Sequence, residues 1–227
     1  MLSRWHTLLL ALTFVGMQLS TLAAAECRLE IVDGLPEHVD PSIVKELATC
    51  HVKIRMDDDD FFEIWTAKAW QVRDKASSPE NPVSILYPLQ PGSLLGVVRV
   101  AHTCYDLRDQ EIPAGVYTVR YSVQPDIEAH KDSHESRDFL LLVASNVDKS
   151  PELIADQDKL IGKSAESIGS MHPAFLPLLK PLKPDQDASI RRDPRDPEGW
   201  VLQVHDKDEA GKKIAMEIIM LHAKLGS

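Results

Sequence analysis

The sequence predicts an all-β or β-rich α+β fold, an antiparallel sandwich or jelly roll with a few short helices at its periphery. Several stretches alternate apolar and polar residues with the period of two that is typical of a half-buried strand. Turn residues separate these stretches, and Phe139 to Val143 is continuously apolar, as in a strand buried on both faces. The regular alternation of strands with helices that a doubly wound parallel sheet requires is missing.

The predicted strands follow from this pattern in chain order. The clearest one covers residues 116–124, where Tyr117, Val119 and Tyr121 point to one face and the residues between them to the other. Pro113-Ala114-Gly115 before it is a turn motif. The other predicted strands cover residues 28–32, 51–56, 61–68, 94–101, 138–144, 200–205 and 214–221.

Helical patterns are fewer. Residues 41–48 follow Asp40, which is a favourable N-cap, and residues 152–161 place apolar side chains near helical spacing. Residues 173–179 are predicted to form a third helix, which a following proline would end. Residues 180–198 carry four prolines among charged residues and are predicted to be a surface loop.

The first 25 residues have the three parts of a cleavable signal peptide. Arg4 supplies a positive charge, an apolar run follows from Thr7 to Leu19, and Ala23 and Ala25 are small residues at a suitable cleavage position. The alternative is an uncleaved N-terminal anchor. The run is shorter than the roughly 20 apolar residues that a membrane-spanning helix needs, which favours cleavage.

Export would leave a single β-rich domain of residues 26–227 in the periplasm, the cell envelope or the extracellular medium. No later apolar run approaches the length of a membrane span, so we expect no transmembrane segment after signal removal. The chain has 35 acidic and 25 basic residues. Such an acidic protein repels phosphate backbones, which argues against nucleic acid as a partner. The expected partner is a ligand of the envelope or the exterior.

The three cysteines bear on the redox state of an exported chain. An oxidising compartment favours one disulfide, and the odd number leaves one thiol over. We predict that Cys27 pairs with Cys50, because this bond would fasten the N-terminal segment. The alternative is that all three thiols, including that of Cys104, are buried and unpaired.

Several short motifs resemble those of a known group of proteins. They are Glu63-Ile64-Trp65, Leu94-Leu95-Gly96, Pro113-Ala114-Gly115-Val116-Tyr117-Thr118-Val119-Arg120-Tyr121, Gln124-Pro125, His130, Arg137-Asp138-Phe139-Leu140-Leu141-Leu142 and His172-Pro173-Ala174. In this order they resemble a family of exported proteins from environmental bacteria that has no assigned activity. The resemblance implies export and a β-rich domain, and it implies no reaction. Similar proteins carry glycines around the histidine that this chain lacks at Ile127-Glu128-Ala129 and Asp132.

The candidate ligand site lies where the polar loop 126–138 would meet the segment around His172. His130, Asp138 and His172 are its candidate ligand-binding residues, and the two imidazoles are candidate ligands of zinc, copper or iron. The alternatives are structural. The loop would then be a solvated hairpin connection, Asp138 would cap loop backbone or pair with Arg120, and His172 would begin a helix.

No nucleophile motif, phosphate-binding loop or dinucleotide fingerprint is present. The sequence therefore favours a non-catalytic binding or structural module over an enzyme. One alternative is a metal-binding protein or metal-dependent enzyme that uses His130. Another is a carbohydrate-binding module, which would need Trp65, Trp70 and Trp200 exposed on one sheet face.

Overall fold

The computed structural model describes residues 27–56, 59–73, 85–124 and 136–222. These residues form mainly β-strands, with two short helices between them. The strands are β1 (Cys27–Asp33), β2 (Cys50–Met56), β3 (Asp59–Thr66), β4 (Leu94–Val100), β5 (Cys104–Tyr105), β6 (Glu111–Ile112), β7 (Gly115–Val123), β8 (Asp138–Ala144), β9 (Phe175–Leu179), β10 (Ser189–Asp193), β11 (Asp196–Lys207) and β12 (Lys213–Ile219). The helices are α1 (Pro41–Val44) and α2 (Gln157–Ser167).

Ten of these strands form one antiparallel sheet in the order β1-β2-β3-β4-β7-β8-β9-β12-β11-β10, and β5 pairs with β6 separately. The sheet curls until its edge strands β1 and β10 come into contact, although they do not pair. A single large hydrophobic cluster takes side chains from both halves of the sheet, which face each other across it. The predicted all-β class with few short helices is confirmed.

The antiparallel register sorts the strand termini into two ends of the sheet. We call the end that holds Asp33, Thr66, Asp138 and Lys207 the mouth end. The opposite end, where Cys27 begins β1, is called the base end. Strands of seven residues separate the two ends by about 20 Å, since a strand rises roughly 3.3 Å per residue.

Each predicted strand lies on an observed one, and two other predictions are wrong. Residues 173–179 do not form a helix, because Phe175–Leu179 is strand β9, paired with β8 on one side and β12 on the other. Its run of five apolar residues is too short to distinguish a buried strand from a helix by pattern alone. The predicted surface loop at 180–198 contains β10 and the start of β11.

The two helices cover parts of the sheet's outer face. Asp40 caps α1 as predicted, and its carboxylate accepts a hydrogen bond from the backbone N–H of Ser42, but the helix ends at Val44 and not at residue 48. Helix α2 begins later than predicted, after its N-cap Asp156, and buries Leu160 against β8. Neither helix of the described residues has the length and apolar character needed to cross a membrane.

Candidate ligand-binding site

Asp138 is buried at the mouth end, where it holds the segment between β3 and β4. Its carboxylate accepts hydrogen bonds from the backbone N–H groups of Leu86 (2.7 Å) and Tyr87 (3.1 Å) and from the Tyr121 hydroxyl (2.6 Å). Burial raises the pKa of Asp138 above its ordinary value, against the lowering effect of these donors. The side chain is saturated by structural partners, so we assign it a capping role.

The predicted pairing of Asp138 with Arg120 is wrong. Asp138 lies opposite Val123 in the β7–β8 register, on the face that carries Tyr121, whereas Arg120 points to the other face. Arg120 is fully buried there and donates two hydrogen bonds to Asp148, of 2.6 and 3.2 Å. This buried ion pair fastens the segment after β8 to the outer face of the sheet.

The structure does not bring Asp138 and His172 together. His172 is exposed near the base end, close to Ala174, whose carbonyl accepts a hydrogen bond from Leu142 in β8. Leu142 lies four residues along β8 from Asp138, which corresponds to about 13 Å. His172 precedes a strand rather than a helix, and its backbone N–H donates to the Ser170 hydroxyl. His130 lies outside the described residues.

The cysteines are unpaired, so the predicted Cys27–Cys50 disulfide is not formed. In the β1–β2 register Cys27 lies opposite Met56 and Cys50 lies opposite Asp33, which places the two thiols at opposite ends of the ladder. Burial raises the pKa of the Cys27 thiol to about 11 and that of the Cys104 thiol to about 12. Cys50 is exposed at the mouth end.

The three tryptophans within the described residues do not form the exposed row that a sugar-binding face would need. Trp65 and Trp70 are 3% and 1% exposed. Trp200 is partly buried, and the Arg192 guanidinium lies 3.9 Å from its ring centroid. The described residues also contain no group of three or more His, Cys, Asp or Glu side chains that could hold a metal ion.

A cavity of about 510 Å³ opens at the mouth end, between strands β1–β3 on one side and residues 187–213 on the other. Its walls are largely apolar and include Ile31, Val52, Ile64, Ala188 and Val204. The volume falls within the roughly 300–1,000 Å³ that is typical of small-molecule sites. Ile31 is 60% exposed at the lip, so an apolar surface is available to a ligand there.

The cavity exists because the edge strands β1 and β10 do not pair, which leaves a seam between them. Near the base end the two strands are in contact, and the thiol of Cys27 lies within electrostatic range of Arg192 in β10. Toward the mouth end the seam widens into the cavity. The neighbouring part of the mouth is covered by Trp70, whose backbone N–H donates to the Lys207 carbonyl (2.9 Å) and whose indole N–H donates to the Leu95 carbonyl (3.0 Å).

Side-chain alternation decides which residues of the lining face the interior. Cys50 lies on the face of β2 that carries the core residue Val52, and Thr66 lies on the face of β3 that carries Ile64. His51 points to the other face, where its ring stacks on Trp65 with 4.3 Å between centroids. Burial lowers the pKa of His51, consistent with this packed position.

Sequence patterns predicted the strands that form this cavity but not the cavity itself. Its walls come from residues near 31, 52 and 64 and from residues near 188 and 204, which only the curling of the sheet brings together. The apolar lining residues look like ordinary core residues in the sequence. The histidines predict a site at other positions, because an imidazole is a recognisable metal ligand and a valine is not.

No protein-family model, curated protein or solved structure matches this chain. The resemblance to exported bacterial proteins therefore stays a prediction. Among the described residues, the cavity at the mouth end is the feature that can hold a ligand.

Proposed function

We propose that this protein is an exported, non-catalytic binding protein that holds a small, largely apolar ligand in the mouth-end cavity. The observation that carries the proposal is an open cavity of about 510 Å³ with predominantly apolar walls. Water in such a site is readily displaced by a ligand of matching shape, because burial of apolar surface is favourable by about 25 cal/mol per Å².

The surroundings of the cavity support binding rather than catalysis. The buried polar groups Asp138 and Tyr121 of the mouth end bond to each other and to backbone, as expected of groups that hold the frame together. The rigid sheet supplies the frame, and the lining sits at strand ends, where binding sites on such frames are common. The metal-dependent alternative depends on His130 and stays a prediction.

The first experiment is a fluorescence titration of the purified protein with N-phenyl-1-naphthylamine, a neutral apolar dye. We expect saturable binding of one dye per chain. Ile31→Glu should weaken this binding about tenfold or more, because a carboxylate at the lip must lose water when the dye enters. Met171→Glu is the matched control, since Met171 is 91% exposed near the base end and far from the cavity.

Cys50 provides a second readout of the same site. It is the exposed thiol, whereas Cys27 and Cys104 are shielded and have raised pKa values, so a thiol reagent should modify Cys50 first. Bound dye should slow that modification. Absence of saturable binding, or an equal effect of Ile31→Glu and Met171→Glu, would overturn the proposed function.

A further inference from the structure

Two acidic and two basic side chains of the described residues line the cavity, namely Asp187, Asp206, Lys207 and Lys213, and the strand register separates Asp206 from the two lysines. Strand β11 pairs with β12 in regular register up to Lys207, so its side chains alternate strictly between faces. Asp206 therefore lies on the face of the core residues Leu202 and Val204. The neighbouring Lys207 points to the opposite face.

Asp206 has no cation of its own. Its Oδ1 accepts a local hydrogen bond from the backbone N–H of Lys207 (2.8 Å). Across the ranges that the structure describes, no lysine, arginine or histidine nitrogen lies within 4.0 Å of its carboxylate. The carboxylate is partly exposed at the edge of an apolar wall, so a cation that enters the cavity can reach it.

The lysines at the rim do not fill that role. Lys213 lies opposite Lys207 in the β11–β12 register and so shares its outward face. Its ammonium group is directed to Asp187, 3.9 Å away, and to the carbonyl of Asp185, 3.3 Å away. Among the charged lining residues of β11 and β12, Asp206 is therefore the one on the interior face, in a chain whose formal net charge is −10.

We propose that the ligand is a cationic amphiphile, whose ammonium group pairs with Asp206 while its apolar body lies against Val52, Ile64 and Val204. The inference rests on the proposed function and adds the chemical class of the ligand. A charge-assisted hydrogen bond from N⁺–H to a carboxylate is about twice as strong as a neutral one. The Thr66 hydroxyl, on the same interior face, supplies a further acceptor for an ammonium proton.

The experiment compares three competitors that share one apolar body. Dodecylamine, dodecanol and dodecanoate, each below its critical micelle concentration, displace N-phenyl-1-naphthylamine from the protein at pH 7 and low salt. We expect the amine to bind about tenfold more tightly than the alcohol, and the carboxylate to bind least. Asp206→Asn should abolish the preference for the amine, because it removes the charge and keeps an oxygen for the local hydrogen bond.

Asp158→Asn is the matched control, because it removes an exposed acidic group on α2, outside the cavity. It should leave the order of the three competitors unchanged. Equal affinities of the amine and the alcohol would overturn the inference and leave the proposed function standing. A preference for the amine that survives in Asp206→Asn would overturn the assignment to this residue. Failure of the dye to bind saturably would overturn the proposed function itself.

Discussion

The buried pair of Arg120 and Asp148 makes the most quantitative test of the fold. Arg120 is 0% exposed, and its guanidinium donates five hydrogen bonds, two of them to Asp148. The other three go to the backbone carbonyls of Gly92, Ser150 and Glu152. The substitution Asp148→Asn keeps the size of the side chain and removes the only carboxylate in this network.

The expected loss follows from leaving a charge buried without its counterion. Removal of one partner of a buried ion pair costs about 3–5 kcal/mol, whereas replacement of both partners by apolar residues is often neutral. In this protein, replacement of both Arg120 and Asp148 by apolar residues should not restore stability, because three carbonyl groups bound by Arg120 would lose their donors. A domain of this kind is stable by about 5–15 kcal/mol in total, so the single substitution should remove a large share.

The assay is equilibrium unfolding in urea, followed by the fluorescence of the buried Trp65 and Trp70. With a slope of about 2 kcal/mol per molar urea, Asp148→Asn should lower the midpoint by roughly 1.5–2.5 M. Asp187→Asn, at an exposed ion pair, is the control and should change the free energy of unfolding by less than about 1 kcal/mol. Equal effects of the two substitutions would refute the assignment of Arg120 and Asp148 as a structural pair.

Two further predictions concern β4 and Asp138. Gly96→Ala should cost about 1–3 kcal/mol in the same urea assay, because the new Cβ would lie 2.1 Å from a backbone oxygen of β3. Gly162→Ala is the control and should not destabilise the fold, because there is open space around it. Similar results for both substitutions would contradict the close packing of β4 on β3. Burial raises the pKa of Asp138 above 3.8, so the folded state holds this proton more tightly than the unfolded chain does. The stability this provides is complete below about pH 3.8 and is lost as the pH rises through the folded pKa. The free energy of unfolding of the natural protein relative to Asp138→Asn should therefore fall as the pH rises above about 3.8, and a constant difference would show that Asp138 does not titrate in this way.

The strand whose bounds are predicted best is β8, which is buried on both faces. Residues 138–144 were predicted with their observed bounds, because Arg137 and Asp138 mark the start of a continuous apolar run. In contrast, β10 consists largely of charged and partly exposed residues, including Arg191 and Arg192, and it lies at an edge of the sheet. Edge strands commonly carry charges that discourage pairing with other chains, and such a strand resembles a loop in the sequence.

For the candidate site, the sequence predicts which strand faces are buried but not which residues come together. Alternation correctly assigned the interior face of strands such as β7, where Tyr117, Val119 and Tyr121 are buried together. The separation of Asp138 from His172 depends on which end of the sheet each loop reaches, and local patterns do not carry that information. The cavity depends on how far a ten-stranded sheet curls before its edges meet, which is a property of packing over the whole domain.

The seam between β1 and β10 also has a kinetic consequence. β1 ends at position 33 and β10 begins at position 189, a separation of 156 positions, whereas pairs such as β11 and β12 are hairpins of neighbouring segments. Contacts between distant segments form late, because the chain must lose loop entropy before it gains them. We therefore expect the hairpins to form first and the two edges to meet last. The cavity would then be completed at the end of folding, and a chain emerging from its N-terminus would be unable to bind ligand until nearly all of it had been released.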